Sequence, residues 1–298
     1  MRTRGRARPA ENEQLQTLRR GLAVLEALAA WPEGATPKEL SQAPGLHLST
    51  TYRLLNTLVA SGYVARSPEG GLFRLGSRVA FLNHGYLAAA GPPPGVVPFV
   101  HALQLATGET AMFNKLEGDD IVVTAVVSGS RPGAYPAGYI GMAGPAHSVA
   151  AGKALLAWLP PAQLDAYVAR QLAAPAALFP LTAPDALRAE LGRIREDGYA
   201  LDRGEENPDV CCVAAPVATR SDVVGAISVV GPCARLRRQQ DGLIPIVLEV
   251  ARAIGALLKA AAGHEKRAVA DRLEPEEMTQ AAIESALATL TRAMSRVG

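Results

Sequence analysis

Residues 45–66 read GLHLSTTYRLLNTLVASGYVAR, and the reading of this stretch decides the first domain. Ser49 has a hydroxyl that can cap a helix and Gly62 can close one, so the run predicts a helix from Ser49 to about Ser61. Thr51, Leu54, Leu55 and Leu58 recur at helical spacing and form the candidate buried face. The opposite face carries Thr50, Tyr52, Arg53, Asn56 and Thr57: hydroxyls, one guanidinium and one amide. Arginine pairs with guanine through two hydrogen bonds, and asparagine with adenine. A helix with this polar face therefore suits a DNA major groove about 12 Å wide.

Upstream, Leu15, Leu18, Leu22, Leu25 and Ala29 are spaced three and four apart, which predicts a helix that Pro32 and Gly34 stop. Thr36 caps a short second helix with Pro37 at its first position, ending near Pro44 and Gly45. Downstream, Tyr63–Arg66 and Leu72–Leu75 predict two short strands around the turn at residues 67–71. Helix, short helix, tight turn, helix and hairpin make a winged helix-turn-helix over residues 15–76. Arg66 and Arg74 flank the hairpin tip within reach of phosphates, and Ser49 joins the candidate reading residues.

Charge separates DNA binding from the alternative, a small protein-interaction domain with a solvated polar face. Residues 1–78 hold 11 Lys and Arg against 6 Asp and Glu, whereas residues 79–262 hold 14 against 16. The basic surplus sits where a polyanion would be met. Residues 1–14 form a polar arm with Arg2, Arg4, Arg6 and Arg8. No apolar segment follows them, so no secretory signal is expected.

At 298 residues the chain has room for two domains, and 49% apolar residues exclude a disordered chain. No uninterrupted apolar stretch of about 18 residues exists, so no membrane partner is expected. Three cysteines, Cys211, Cys212 and Cys233, are not expected to form a disulfide framework, and the expected compartment is a reducing cytoplasm.

Residues 77–95 are expected to be a linker helix, Ser77–Ala90, closed by the Gly91–Gly95 segment with its three prolines. Residues 96–262 are expected to be an α+β domain. Helices are predicted over Val96–Ala106, Ser148–Trp158 and Ala183–Asp197, the last with Thr182 as cap and Asp185 three residues on. Hairpins are predicted from Glu109–Leu116 with Ile121–Val127, and from Val210–Pro216 with Val223–Val230. A long helix then buries Leu243, Val247, Val250, Ile254 and Leu257. A helical tail over residues 263–298 carries the stripe Ile283, Leu287, Leu290 and Met294, for packing on the body or on a second subunit.

Enzymatic signals in the second half are weak. Adjacent strand residues Cys211 and Cys212 point to opposite faces and cannot share one metal ion, so one is expected in the core and one in a cavity wall. Gly152-Lys153 lacks the preceding glycine-rich loop of a nucleotide site, and Lys153 reads as a surface lysine. His147, Ser148 and Asp202 could be arranged as a triad, but no G-x-S-x-G elbow supports one.

Residues 18–75 resemble the DNA-binding domain of the IclR family of bacterial transcriptional regulators. The likeness rests on Gly45, Leu46, Ser49, Thr50, Tyr52, Arg53, Leu54, Leu55, Thr57, Leu58, Gly62, Tyr63, Val64 and Arg66. It extends over residues 98–260 through GYIGMAGPAHSVAAGKALLAWLP (138–160), GYALDRGEENPDVCCVAAPV (198–217) and GAISVVGPCARL (225–236). The resemblance implies a GAF-like effector-binding domain that also makes subunit contacts. It assigns the effector to backbone N–H groups at Ala150 and Ala151, beside Asp202, Cys212 and Ser228, with Met142 as an apolar wall. Four positions depart from the family pattern. His47 and Leu48 replace Pro-Lys, removing a phosphate-contacting lysine for which the basic arm could compensate. Val230 replaces a serine and makes the pocket more apolar. Asp209 replaces a glycine in the charged loop Arg203–Asp209, which could cap the pocket differently.

The reading is a ligand-responsive, sequence-specific transcriptional regulator of a catabolic operon, with no cofactor and no metal. Its expected partners are double-stranded DNA with a palindromic operator, a small organic or aromatic acid, and a further copy of the chain, as homodimer or dimer of dimers. The rival is an enzyme acting on a small organic acid with a fused docking module. Turnover separates the two, because a sensor returns its ligand unchanged.

Overall fold

The computed structural model describes residues 15–42, 45–67, 71–135, 138–173, 183–205, 207–220 and 222–271, with side chains of the last helix described to residue 261. The basic arm, the Thr182 cap and the stripe from Ile283 to Met294 lie outside the described residues. The chain divides into two compact units, residues 1–89 and 90–298.

In the first unit, α1 (Gln16–Ala29), α2 (Pro37–Gln42) and α3 (Leu48–Ala60) precede the antiparallel strands β1 (Val64–Arg66) and β2 (Phe73–Leu75). The capping signal at Thr36 is realised in both directions. The Glu39 N–H donates to Thr36 Oγ1 at 3.3 Å, and the Thr36 N–H donates to Glu39 Oε2 at 2.8 Å. The core comprises Val24, Leu28, Leu40, Leu54, Leu55, Val64 and Phe73. Helix α1 forms where the spacing predicts it, with Val24 and Leu28 turned inward, Leu25 packed partly against the core, and Leu18 and Leu22 exposed. One expectation is corrected. Ser49 does not cap α3: the N–H groups of Thr50 and Thr51 both donate to the His47 carbonyl, which places the cap two residues earlier, at His47. Helix α4 (Ser77–Ala90) runs to the unit boundary and has no buried residue.

The second unit has a six-stranded antiparallel sheet, order β5-β4-β3-β8-β7-β6. The strands are β3 (Thr110–Glu117), β4 (Asp120–Val127), β5 (Ala143–Pro145), β6 (Ala200–Asp202), β7 (Val210–Ala218) and β8 (Val223–Pro232). One face packs on α5 (Val97–Thr107) and α9 (Cys233–Asp271) through Phe99, Phe113, Ile227, Val229, Val247 and Ile254. The other packs on α6 (Ala150–Leu156), α7 (Pro161–Leu172) and α8 (Pro184–Asp197) through Met112, Leu155, Tyr167, Leu191 and Ala214. Strand alternation produces this division: Phe113 and Met112 are neighbours in sequence and sit on opposite faces.

Several readings of this unit change. The helix expected from Ser148 is split, because Ala146–Ser148 forms a 3-10 turn and Val149 is extended before α6 begins. Helix α7 and strands β5 and β6 carried no sequence reading. Helix α8 starts at Pro184 without a side-chain cap at Ala183. Cys211 and Cys233 are joined as a disulfide with Cα atoms 4.6 Å apart, against the expectation of unpaired cysteines. Their separation of 22 residues conceals a short path, since hairpin register sets Cys211 opposite Gly231, two residues before Cys233. Among the described residues no helix is long and apolar enough to cross a membrane.

Candidate functional site

The polar face of α3 is open. Tyr52, Arg53, Asn56 and Thr57 are exposed, as is Ser49, and Thr50 is half-buried, whereas Thr51, Leu54 and Leu55 anchor the helix in the core. Thr57 Oγ1 donates to the Arg53 carbonyl, so its hydroxyl is engaged with its own helix. Arg66 and Arg74 are exposed on the hairpin, and the Arg66 guanidinium lies 5.6 Å from the centre of the Phe73 ring. That contact holds the guanidinium beside the wing. The eight residues proposed to meet DNA therefore share one unit and leave their polar groups unburied, apart from Thr50.

In the second unit, a cavity of about 240 Å³ opens between the sheet and α6. Met142, Ala151, Asp202, Cys212 and Ser228 all line it. Ala150 is fully buried behind the wall. The first α-helical bond of α6 runs from the Lys153 N–H to the Val149 carbonyl, so the N–H groups of Ala150 to Gly152 precede the helical ladder. Helix α6 has only seven residues, and its pull on an acid group would come from these N–H groups individually rather than from a long-helix dipole.

Asp202 is structural before it is anything else. Its Oδ1 accepts hydrogen bonds from the Gly204 and Glu205 N–H groups, both at 2.9 Å, and so shapes the loop after β6. Asn207 of that loop lines the cavity. Burial, together with the neighbouring Asp202 carboxylate, pushes the Cys212 thiol well above its ordinary range. Cys212 is therefore a neutral wall residue, not a nucleophile.

Lys153 is the largest correction. Read as a surface lysine, it is instead completely buried. Its ammonium donates to Glu190 Oε1 of α8 at 2.9 Å and to Glu205 Oε1 of the loop after β6 at 2.6 Å. Burial alone would depress it, but the two carboxylates outweigh burial and hold it above the ordinary lysine range. Glu205 is raised by burial, with Lys153 opposing and Glu190 and Asp202 reinforcing. The lysine was legible only as a helical residue, because its partners lie 37 and 52 positions away.

The sequence reading also missed Asn114 and Tyr135, which line the cavity from β3 and from the loop after β4. A single amide in an otherwise apolar strand face, two residues from Met112, was the available signal for Asn114. No triad forms: His147 Nδ1 is 2.7 Å from the Tyr167 hydroxyl, and Ser148 Oγ donates to the Pro145 carbonyl.

Residues 95–256 match the family model described as bacterial transcriptional regulator IclR C-terminal, and residues 17–68 match the IclR helix-turn-helix domain. The chain is 31% identical over 243 residues to the DNA-binding transcriptional repressor YiaJ of Escherichia coli K12, covering 80% of this chain and 86% of that protein. A solved transcriptional regulator from Rhodococcus sp. RHA1 is 32% identical with a TM-score of 0.63, covering 82% of this chain and 98% of that one. An IclR homologue from Microbacterium hydrocarbonoxydans, solved in complex with 4-hydroxybenzoate, shares the fold at 22% identity with a TM-score of 0.61, covering 82% and 99%.

Proposed function

The chain belongs to the IclR family of bacterial transcriptional regulators, and from that premise we propose that a small organic acid in the cavity of the second unit sets its affinity for DNA. It is a DNA-binding transcriptional regulator, as its relatives are, and not an enzyme. The observation that carries the effector reading is convergence: residues 142, 151, 202, 212 and 228 come from separate segments and border the same cavity. Its volume of about 240 Å³ exceeds the roughly 150 Å³ that takes benzene. The cavity is thus large enough for a compact, ring-bearing acid.

On this reading the α3 face formed by Ser49, Thr50, Tyr52, Arg53, Asn56 and Thr57 enters the major groove, and Arg66 and Arg74 contact phosphates. Two copies, as a dimer or within a dimer of dimers, read the halves of a palindromic operator in the cytoplasm, next to genes of a catabolic pathway. The acid end of the effector meets the N–H group of Ala151, Asp202 accepts from a donor on the ligand, and Met142 and Val230 supply apolar walls. The 4-hydroxybenzoate held by the Microbacterium homologue makes that acid a reasonable first probe. Footprinting of the DNA upstream of the gene and its neighbours, with and without a panel of organic acids, tests the reading. One acid should change the protected concentration range at a two-fold symmetric site and be recovered unchanged. Turnover of the acid, or protection that no acid alters, would defeat it.

A further inference from the structure

Asn114 and Ser228 stand on adjacent strands at the sheet side of the cavity, 3% and 1% exposed. A one-residue bulge opposite them, where β4 passes from Val123 to Ala125, re-aims the sheet at this point. The Asn114 amide nitrogen donates to Ser228 Oγ at 3.0 Å and to the Ala226 carbonyl at 3.5 Å. Ser228 in turn donates towards the Met112 carbonyl at 3.5 Å. The Met112 carbonyl can only accept and takes the Ser228 hydroxyl hydrogen, which leaves Ser228 Oγ to accept from Asn114; the Ala226 carbonyl can likewise only accept, so the amide nitrogen faces Ser228 and Ala226 and the amide oxygen turns away. No group among the described residues donates to Asn114 Oδ1. The result is a buried acceptor, on a residue lining the cavity, that still lacks its donor.

We propose that Asn114 is a specificity-determining residue of this regulator: its Oδ1 accepts a hydrogen bond from a hydroxyl of the effector, which is therefore a hydroxylated organic acid and not a plain one. The inference rests on the effector reading of the cavity. An ionised carboxylate at this point would set oxygen lone pairs against oxygen lone pairs. An ammonium would be desolvated against an uncharged partner. A hydroxyl meets the requirement without either cost, and it leaves the acid group to the Ala151 side of the cavity.

Matched acids differing by one hydroxyl test this on the full-length chain. Titration calorimetry would compare benzoate with 4-hydroxybenzoate, phenylacetate with mandelate, and propionate with lactate. In the native chain the hydroxylated member of at least one pair should bind about tenfold tighter, the usual consequence of satisfying a buried acceptor. In Asn114→Leu that ratio should fall to within about twofold. Asn114→Ala serves as the second variant if melting shows that the leucine variant does not fold. A ratio that persists in either folded variant overturns the inference, as do plain acids that bind the native chain as tightly as their hydroxylated partners. Absence of binding by all six probes removes the small-acid reading itself and this inference with it. Binding without a hydroxyl preference removes only the inference.

Discussion

Lys153 has no exposed surface, yet it keeps its charge because two carboxylates from different elements converge on it. Its loss in Lys153→Met would leave Glu190 and Glu205 facing each other. Both are partly exposed and can turn to water, so the expected destabilisation is about 1–3 kcal/mol. The pH dependence follows from the direction of its shift. A lysine raised in the folded state contributes fully below its unfolded value, near 10.4, and loses that contribution as pH climbs through the folded value. Thermal melting should therefore show a constant gap between native and variant proteins from pH 8 to 10, narrowing above that range. Arg53 is the opposite kind of residue, exposed and free of structural duty. Arg53→Ala should lower operator affinity by roughly 5- to 150-fold, from the loss of about 1–3 kcal/mol in a bidentate base contact. Gel shift would measure this and circular dichroism would show an intact fold. Undiminished binding would mean that another face of the domain reads the DNA.

At the scale of elements, α6 depends on how closely it follows the 3-10 turn before it. A Cβ at Gly152 would collide with the Ala146 carbonyl oxygen, so glycine is required there by proximity and not by an unusual dihedral angle. Gly152→Ala should push α6 off the turn and cost at least about 1–3 kcal/mol, read as a lowered denaturation midpoint. The better helix propensity of alanine makes the opposite prediction for an unconstrained helix, and a stabilised variant would refute the packing argument. The same element borders the cavity of the second unit through Ala151. Ser228→Leu, on the facing strand β8, should fill that space and abolish the ligand-dependent change in DNA affinity. A full response in this variant would locate the effector elsewhere.

For the whole molecule, the proposed function requires that a site in each of two units be coupled through free energy. If the acid changes DNA affinity by some factor, operator DNA must change acid affinity by the same factor. Such couplings are typically about 1–3 kcal/mol, so calorimetric titration of the acid with and without operator DNA should show a change of roughly 5- to 150-fold. The sign of that change follows whether the acid releases or recruits the regulator. The basic surplus of residues 1–78 adds a second expectation: DNA affinity should fall steeply and linearly on a log–log plot against salt, while acid affinity should not. A flat salt response would mean that the surplus is solvated and meets no phosphate.

The local patterns that were legible in the sequence are those that neighbouring residues settle among themselves. The capping pair Thr36 and Glu39, the leucines of α3 and the buried stripe of α9 follow from spacings of two to four residues, and the helix from Ser77 to Ala90 from the glycine and proline segment that ends it. The motif residues also pointed to a winged helix-turn-helix joined to an α+β effector domain. What the chain decided only on folding involves partners far apart in sequence. Lys153 is buried because α8 and the loop after β6 both bring a glutamate to it, and Cys211 meets Cys233 because hairpin register aligns them. Leu18 and Leu22 share a helical stripe in sequence, yet α3 and β2 cover the neighbouring face of α1. Asn114 carries no local mark beyond being polar. Among the described residues its oxygen has no donor, because the carbonyls of two strands, Met112 on its own strand and Ala226 across the ladder, orient the Asn114–Ser228 pair. Spacing along one chain determines which face a residue occupies, and only tertiary packing determines what that face meets.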